Sequence, residues 1–180
     1  MSKNPKPRRA DTAPAQAFGS LKAVRIGLSV EVRHQSVRAL NRLLAHASAL
    51  RDLYKKAHWQ TSGANFYALH LLFDKHHGEQ LELVDSLAER VQLLGGVALA
   101  TAHDVVQETR LSRVPSGTET PRHQLEGLLD AHEFLLSEAR PLAHEAAEHG
   151  DDGTNDLIVS DVIRTNELQA WFVAQHLTHP

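Results

Sequence analysis

Apolar residues recur every three or four positions over four long segments, and this spacing constrains the fold more than any other feature of the chain. Such spacing places side chains on one face of an α-helix, so each segment is predicted to be one amphipathic helix. The predicted helices span residues 29–58, 65–94, 121–148 and 154–177. Their apolar stripes are, in chain order, Val37, Leu40, Leu44, Ala47, Leu50 and Tyr54; Leu69, Phe73, Leu83, Leu87 and Leu94; Leu125, Leu128, Leu135, Ala139 and Leu142; and Ile158, Val162, Leu168 and Phe172. Four such helices predict an all-α four-helix bundle.

The connections between these helices differ in length. Residues 61–65 are few enough to join the first two helices as an antiparallel hairpin. Residues 95–120 are too many for a hairpin turn, so they are predicted to cross the length of the bundle and to contain a short helix at Ala102–Glu108. Pro141 lies inside the third predicted helix and is expected to bend or break it, because its ring removes a backbone donor.

Five side chains on the first two helices form the strongest candidate for a functional site. We call them the five ligand candidates: His58, His70, Asp74, Asp85 and Glu89. His70 and Asp74 are four residues apart, as are Asp85 and Glu89, so each pair projects from one helix face. Imidazole and carboxylate groups are typical ligands of hard or borderline metal ions. Taken singly, residues of these types are more often ordinary solvent-facing side chains than metal ligands.

The length of the second helix prevents the two pairs from meeting in one chain. Asp85 lies fifteen residues after His70, which corresponds to about 22 Å along a straight helix. His70 and Glu89 are equally far in sequence from a midpoint between Glu79 and Gln80, and Asp74 and Asp85 share the same midpoint. A second antiparallel copy, related by a two-fold axis near this midpoint, would bring the first pair of one chain to the second pair of the other. His58 would join them from the preceding helix, at a depth similar to that of His70.

The run from Lys55 to Gly96 closely resembles the Dps family (DNA-binding protein from starved cells), whose members are ferritin-like mini-ferritins. The resemblance rests on the His-Trp step at 58 and 59, on GANF at 63–66, on the spacing of the five ligand candidates and on the final Gly-Gly. It covers roughly residues 30–177. It implies a ferritin-like four-helix bundle with a short extra helix in the long crossover between helices 2 and 3.

The resemblance also implies an activity, the oxidation of Fe(II) to Fe(III) by a ferroxidase site at a two-fold contact. It assigns His58, His70 and Asp74 of one chain, with Asp85 and Glu89 of the other, as catalytic metal ligands. It further implies that hydrogen peroxide is the preferred oxidant and that ferric mineral is stored in a shell of twelve identical subunits. Such storage protects DNA from hydroxyl radical.

Several neighbouring residues have expected roles, each with an ordinary alternative. Trp59 is expected to be a redox neighbour of the site, or else a core or interface aromatic. Lys55 is expected to contact a ligand carboxylate, or else to be a plain surface lysine. Acidic residues at the start of the fourth helix are expected to line an ion pore, as in family members, or else to serve as helix N-terminal groups: Asp151, Asp152 and Asp156.

Residues 1–27 form a basic tail that is predicted to be disordered, while residues 28–180 form the bundle domain. The tail contains Lys3, Lys6, Arg8, Arg9, Lys22 and Arg25 against Asp11 alone. Its formal charge of +5 in a chain of −3 leaves −8 on the remainder. Lys3, Lys6, Arg8 and Arg9 are candidate contacts to DNA, because several tails on one shell would add their weak phosphate contacts. A solubilising tail without a partner is the alternative.

Composition excludes several classes of function. The chain has no cysteine, so disulfides, thiolate zinc sites and iron–sulfur clusters are excluded. No stretch approaches the ~20 apolar residues of a membrane span, and the N-terminus lacks the apolar core of a secretory signal. A cytoplasmic protein is expected, at the nucleoid when DNA is bound.

The sequence alone leaves three alternative functions open. A conventional ferritin would need E-x-x-H pairs on two helices of one bundle, and the chain offers only Glu31 to His34. A nucleoid-compacting shell without iron chemistry is the second. A shell that binds manganese or zinc is the third, because affinity alone does not favour iron. No role is assigned to His76, His77 or His103.

Overall fold

The chain folds into a bundle of long helices. The structure, a computed structural model, describes residues 14–178, and all regular secondary structure in this range is helical. The elements are α1 (Val30–Gln60), α2 (Phe66–Leu93), α3 (Ala102–Glu108), α4 (Pro121–Glu148), α5 (Asp152–Asp156), a π-helical segment (Leu157–Ile163) and α6 (Arg164–Gln175). The last three follow one another without a break and form the fourth helix of the bundle. The predicted all-α four-helix bundle, with α3 in its crossover, is confirmed.

Capping residues determine where the helices begin. Ser29 accepts a hydrogen bond from the backbone amide of Val32 (3.2 Å) at the start of α1. Thr120 accepts one from the amide of His123 (3.2 Å) at the start of α4. Pro121 occupies the first turn of α4, where a backbone donor would have no partner within the helix. These local interactions explain why the helix starts could be predicted within about two residues.

The turn after α2 requires glycine. Gly95 has a φ of +84°, in the left-handed region that side chains disfavour. A Cβ atom at Gly95 would lie 2.6 Å from the carbonyl oxygen of Lys22, and one at Gly96 would lie 2.7 Å from Cγ1 of Val37. The chain can therefore leave α2 and pass closely against α1 only with these two residues.

The core lies between the α1–α2 hairpin and the helices that pack on it. α1 and α2 make the most extensive contact between helices, and α4 packs against both α1 and α6. The largest fully buried side chains are Leu40, Leu43, Leu44, His46, Leu50, Tyr54, Leu69, Phe73, Leu87, Leu94, Leu135 and Ile158. Each buried Leu, Ile or Phe contributes about 1.5–3 kcal/mol, so this core holds the hairpin against the other helices.

α4 continues through Pro141 without interruption. The helix spans Pro121–Glu148, and Pro141 is exposed on its outer face. The predicted break does not occur. Ser137, whose carbonyl loses its partner to the proline ring, is exposed, so water can hydrate this carbonyl.

The segment before α1 packs against the bundle from Gln16 onward. The Gln16 side chain and the Lys22 backbone amide both donate to the carbonyl of Gly95, each at 2.9 Å. Arg33 then donates to the carbonyls of Lys22 (3.1 Å) and Leu94 (3.0 Å). The expectation of disorder up to residue 27 is therefore wrong for this part, because composition does not reveal these backbone contacts. The expectation for residues 1–13 lies outside the described residues.

Asp151 caps α5 from a buried position. Its carboxylate accepts hydrogen bonds from Ser36 Oγ (2.6 Å) and from the Thr154 amide (3.1 Å), and it pairs with Arg90. Burial alone would raise the pKa of Asp151, but the bonds from Ser36 and Thr154 and the charge of Arg90 hold it below its usual value. Of the two roles expected for Asp151, the structure shows the helix N-terminal one, and its carboxylate faces the interior.

Replacing Asp151 by Asn tests its structural role. The change leaves Arg90 facing a neutral amide and removes charge-assisted hydrogen bonds, so we expect the free energy of unfolding to fall by about 2–4 kcal/mol. Asp152→Asn is the matched control, because Asp152 is exposed beside it; we expect a loss below about 1 kcal/mol. Chemical denaturation measures both, and equal losses would contradict the assignment.

Three buried histidines predict that acid destabilises the fold. Desolvation lowers the pKa of His46 and His76 to about 4 and that of His132 to about 3. An unfolded histidine titrates near 6.5, so below that pH the unfolded chain binds protons that the folded chain does not. Stability therefore decreases as the pH falls from about 6.5 to about 4, by up to roughly 1.4 kcal/mol per pH unit for each group.

His46→Met should make this pH dependence shallower. Nε2 of His46 is buried without a hydrogen-bond partner, so Met fills the site without a titrating group. His123→Gln is the control, because it removes a histidine whose side chain is exposed instead of buried. Denaturation midpoints between about pH 7 and pH 5 give the slopes; identical slopes for wild type and His46→Met would refute the explanation.

Candidate metal centre

His58 and His70 face each other at one end of the α1–α2 hairpin. Their rings stack with centroids 3.7 Å apart and planes 23° apart. Nδ1 of each ring lies 2.9 Å from the backbone carbonyl oxygen of the other residue. Because a carbonyl only accepts, Nδ1 carries the proton in both neutral rings, and each Nε2 keeps a free lone pair. This is the arrangement in which an imidazole is oriented for metal binding.

Asp74 lies one turn after His70 and contacts Lys55. The Lys55 ammonium donates to Asp74 Oδ1 at 2.7 Å, and the same oxygen is 3.9 Å from Nδ1 of His58. The hydrogen bond from Lys55 lowers the pKa of Asp74, which keeps the carboxylate ionised in mildly acidic solution. The Asp74 side chain is 53% exposed, so solvent screens the pair and its role is one of position and charge.

Asp85 and Glu89 lie near the opposite end of α2, and both are exposed. Their distance along the helix separates them from His70 and Asp74 of the same chain. Within residues 14–178, no three His, Asp or Glu side chains of one chain converge as a metal-binding group. The structure therefore brings His58, His70 and Asp74 to one end of the hairpin and leaves Asp85 and Glu89 apart from them.

A wide apolar groove borders Asp85. It has a volume of about 700 Å³ and lies between α1, α2 and α3. We call it the α2 groove; its apolar lining includes Leu44, Leu81, Val84, Ala88, Leu99, Val105 and Val106. Val106 is 76% exposed and Leu81 is 49% exposed. Exposed apolar side chains grouped in one groove are a feature of protein–protein contact surfaces.

The other residues with expected roles are exposed or lie outside the described residues. Trp59 follows His58 but is 72% exposed, so its ring is not part of the core of this chain. Asp152 and Asp156 are exposed near the start of the fourth bundle helix, unlike Asp151. The four candidate DNA contacts at residues 3, 6, 8 and 9 lie outside the described residues.

A layer of polar side chains at the centre of the bundle was not predicted from the sequence. We call it the polar layer; its fully buried members are Tyr54, His76, Gln80, His132, Asn166 and Gln169. It contains no carboxylate. The signal was present, since His76 and His132 interrupt the apolar stripes of their helices, but such an interruption does not identify a partner.

None of the helices within residues 14–178 combines the length and hydrophobicity that a membrane crossing requires.

Comparisons with known proteins give the family. A model described as a ferritin-like domain matches residues 37–179. The solved structure of DpsC from Streptomyces coelicolor is 52% identical, with a TM-score of 0.92 over 93% of this chain and 98% of that one. The Dps protein of Vibrio cholerae O1 is 27% identical, with a TM-score of 0.81 over 92% and 100% of the two chains. The nutrient stress-induced DNA-binding protein of Synechococcus sp. is 32% identical over 94% of this chain and 93% of that protein. The chain therefore belongs to the Dps family, within the ferritin-like domain family.

Proposed function

We propose that this chain oxidises Fe(II) at sites shared between two subunits and stores the ferric product in a hollow shell. The observation that carries the proposal is the mutual orientation of His58 and His70, whose Nδ1 atoms are both bonded to carbonyls. Two oriented imidazoles with an ionised Asp74 beside them form half of a metal site. Asp85 and Glu89 of a two-fold mate would complete it with oxygen ligands.

A second copy of the chain is the partner that fits the α2 groove. The groove borders Asp85, so a subunit seated there would place its own α2 beside this carboxylate. Gln80 is buried in its own bundle, so contacts across the two-fold axis would use exposed neighbours at the same level, such as Leu81 and Glu82. The larger shell of twelve subunits is inferred from membership of the family.

The proposed chemistry treats iron as the substrate. Two Fe(II) ions and one hydrogen peroxide, with two protons, give two Fe(III) ions and two water molecules. The Dps protein of Vibrio cholerae O1 belongs to a superfamily of ferritin-like diiron-carboxylate proteins. This relationship supports iron as the metal. Preference for peroxide and the ion entrance at Asp152 and Asp156 are parts of this proposal, as is a cytoplasmic location. Manganese or zinc binding by the same groups is the alternative.

DNA binding is a second candidate function. The relative from Synechococcus sp. is named a DNA-binding protein, and the first nine residues of this chain contain four basic side chains and no acid. Contacts of this kind release counterions from phosphates, so their affinity depends strongly on salt. Display of many tails on one shell would convert weak single contacts into measurable binding.

Loss of paired ligands should abolish iron oxidation. We expect the double variant His70→Ala, Asp85→Ala to oxidise Fe(II) at least about 100-fold more slowly than wild type, since loss of outer contacts alone costs 10–100-fold. Stopped-flow absorbance after anaerobic Fe(II) loading measures the rate with peroxide and with air. A double variant of the helix α4 surface, His123→Ala with Glu126→Ala, controls for loss of one histidine and one carboxylate. Equal slow rates in wild type and both variants would refute the ferroxidase proposal.

Neutralising the tail should weaken DNA binding without affecting iron oxidation. Replacing Lys3, Lys6, Arg8 and Arg9 by Ala removes four candidate phosphate contacts per subunit. We expect weaker binding at low salt and a smaller slope of log affinity against log salt concentration. Gel-shift titrations over a salt series measure both quantities. Unchanged affinity and slope would show that the tail does not carry the binding.

A further inference from the structure

Tyr54 and His132 form a buried hydrogen-bonded pair at the centre of the polar layer. The Tyr54 hydroxyl lies 2.5 Å from Nε2 of His132, and both side chains are fully buried. The pair joins α1 to α4, away from bulk solvent. Its members are not ligand candidates, and the proposed oxidation of two Fe(II) ions by hydrogen peroxide does not use them.

The surrounding hydrogen bonds fix the direction of this contact. The Asn166 side-chain amide donates to the carbonyl of Val162 (2.7 Å), which can only accept. Oδ1 of Asn166 therefore points the other way and accepts from Nδ1 of His132 (2.9 Å) and from Gln80 (3.0 Å). With its proton on Nδ1, His132 has a free lone pair on Nε2. Tyr54 must then donate, and His132 Nε2 is the acceptor of the phenolic proton.

The environment keeps both groups neutral before any reaction. Desolvation raises the pKa of Tyr54 well above its usual value, so the phenol does not ionise on its own. Desolvation also lowers the pKa of His132 to about 3, so its lone pair remains free at neutral pH. A phenol in this setting loses an electron readily only if its proton moves to the base at the same time, because a phenol radical cation is a strong acid.

Tyr54 lies close to the candidate metal centre. It precedes His58 by one helical turn on α1, which is about 6 Å along the axis. Its ring packs against Phe73, the residue before Asp74, with centroids 6.2 Å apart. Tyr54 therefore lies on the helix that carries His58 and packs against the helix that carries His70 and Asp74, in a position to exchange electrons with an ion bound there.

We propose that Tyr54 is an electron donor to the iron site, with His132 as the acceptor of its proton. The inference rests on the proposed ferroxidase function and concerns sites that hold a single Fe(II). Reduction of hydrogen peroxide to water needs two electrons, and one Fe(II) supplies only one. If no second electron is available, the peroxide bond is cleaved to hydroxide and a hydroxyl radical.

The electron from Tyr54 completes the reduction. One Fe(II), one Tyr54 phenol hydrogen-bonded to neutral His132, one hydrogen peroxide and two protons give one Fe(III), one Tyr54 phenoxyl radical, one protonated His132 and two water molecules. The O–O bond breaks, Fe(II) and Tyr54 are each oxidised by one electron, and the phenolic proton moves to Nε2 of His132.

A later Fe(II) restores the pair. It reduces the phenoxyl radical, His132 returns its proton to the oxygen, and a second Fe(III) is formed. The low pKa of His132 favours this return. Two Fe(II) ions are thus consumed per peroxide even when they arrive one at a time, and no hydroxyl radical leaves the protein.

Freeze-quench electron paramagnetic resonance tests the inference. The protein is loaded anaerobically with one Fe(II) per site and mixed with excess hydrogen peroxide, and the Fe(III) absorbance of the same mixture is recorded. The chain has two tyrosines, Tyr54 and the exposed Tyr67, so Tyr67→Phe leaves only Tyr54. We expect a tyrosyl signal in Tyr67→Phe whose hyperfine pattern changes with β-deuterated tyrosine. We expect no tyrosyl signal in Tyr54→Phe, and several-fold more hydroxyl radical captured by a spin trap.

His132→Gln separates the proton acceptor from the electron donor. Glutamine keeps an acceptor near the Tyr54 hydroxyl but is too weak a base to take its proton, so the signal should be lost although Tyr54 is present. Fe(III) formation without a tyrosyl signal in Tyr67→Phe, or an unchanged signal in His132→Gln, overturns the inference and leaves the ferroxidase proposal intact. Absence of Fe(III) in wild type refutes both.

Discussion

The rigid length of α2 is the constraint on which the proposed site depends. A helix rises about 1.5 Å per residue, so His70 and Asp85 cannot approach one ion from the same chain. The α1–α2 hairpin brings His58 to His70, and their reciprocal bonds to backbone carbonyls orient both rings. The two carboxylates at the far end of α2 remain exposed beside an apolar groove. Association of two chains is therefore part of the proposed chemistry and not only of the architecture.

The polar layer explains why iron chemistry is proposed outside the bundle. The centre of this bundle holds neutral groups whose hydrogen bonds connect α1, α2, α4 and α6. A cation placed there would meet no carboxylate among the layer's members and would be poorly solvated. The same neutral, buried surroundings suit a phenol that gives up an electron while its proton moves a short distance to His132. The two proposals thus assign different chemistry to the surface and to the interior of one hairpin.

Local patterns in the sequence predicted most of the fold. The stripes and caps around Ser29 and Thr120 are local, so helix positions followed from them, as did the short helix in the crossover. The role of Asp151 could not be chosen from sequence, because an acidic run at a helix start suits a pore and a cap equally, and only burial against Arg90 distinguishes them. The Tyr54–His132 pair was missed because its partners are far apart in sequence. Contacts of Gln16 with the Gly95 carbonyl were missed for the same reason.

Mixing of two inactive variants tests the shared site most directly. His70→Ala and Asp85→Ala each disable both sites of a homodimer, but a dimer with one chain of each kind keeps one intact site. Random co-assembly at equal amounts makes half of the dimers mixed, so about a quarter of all sites should be restored. Stopped-flow rates of Fe(II) oxidation for the co-assembled protein should therefore recover to about a quarter of wild type, against almost none for either variant alone. No recovery in verified mixed assemblies would contradict a site built from two chains.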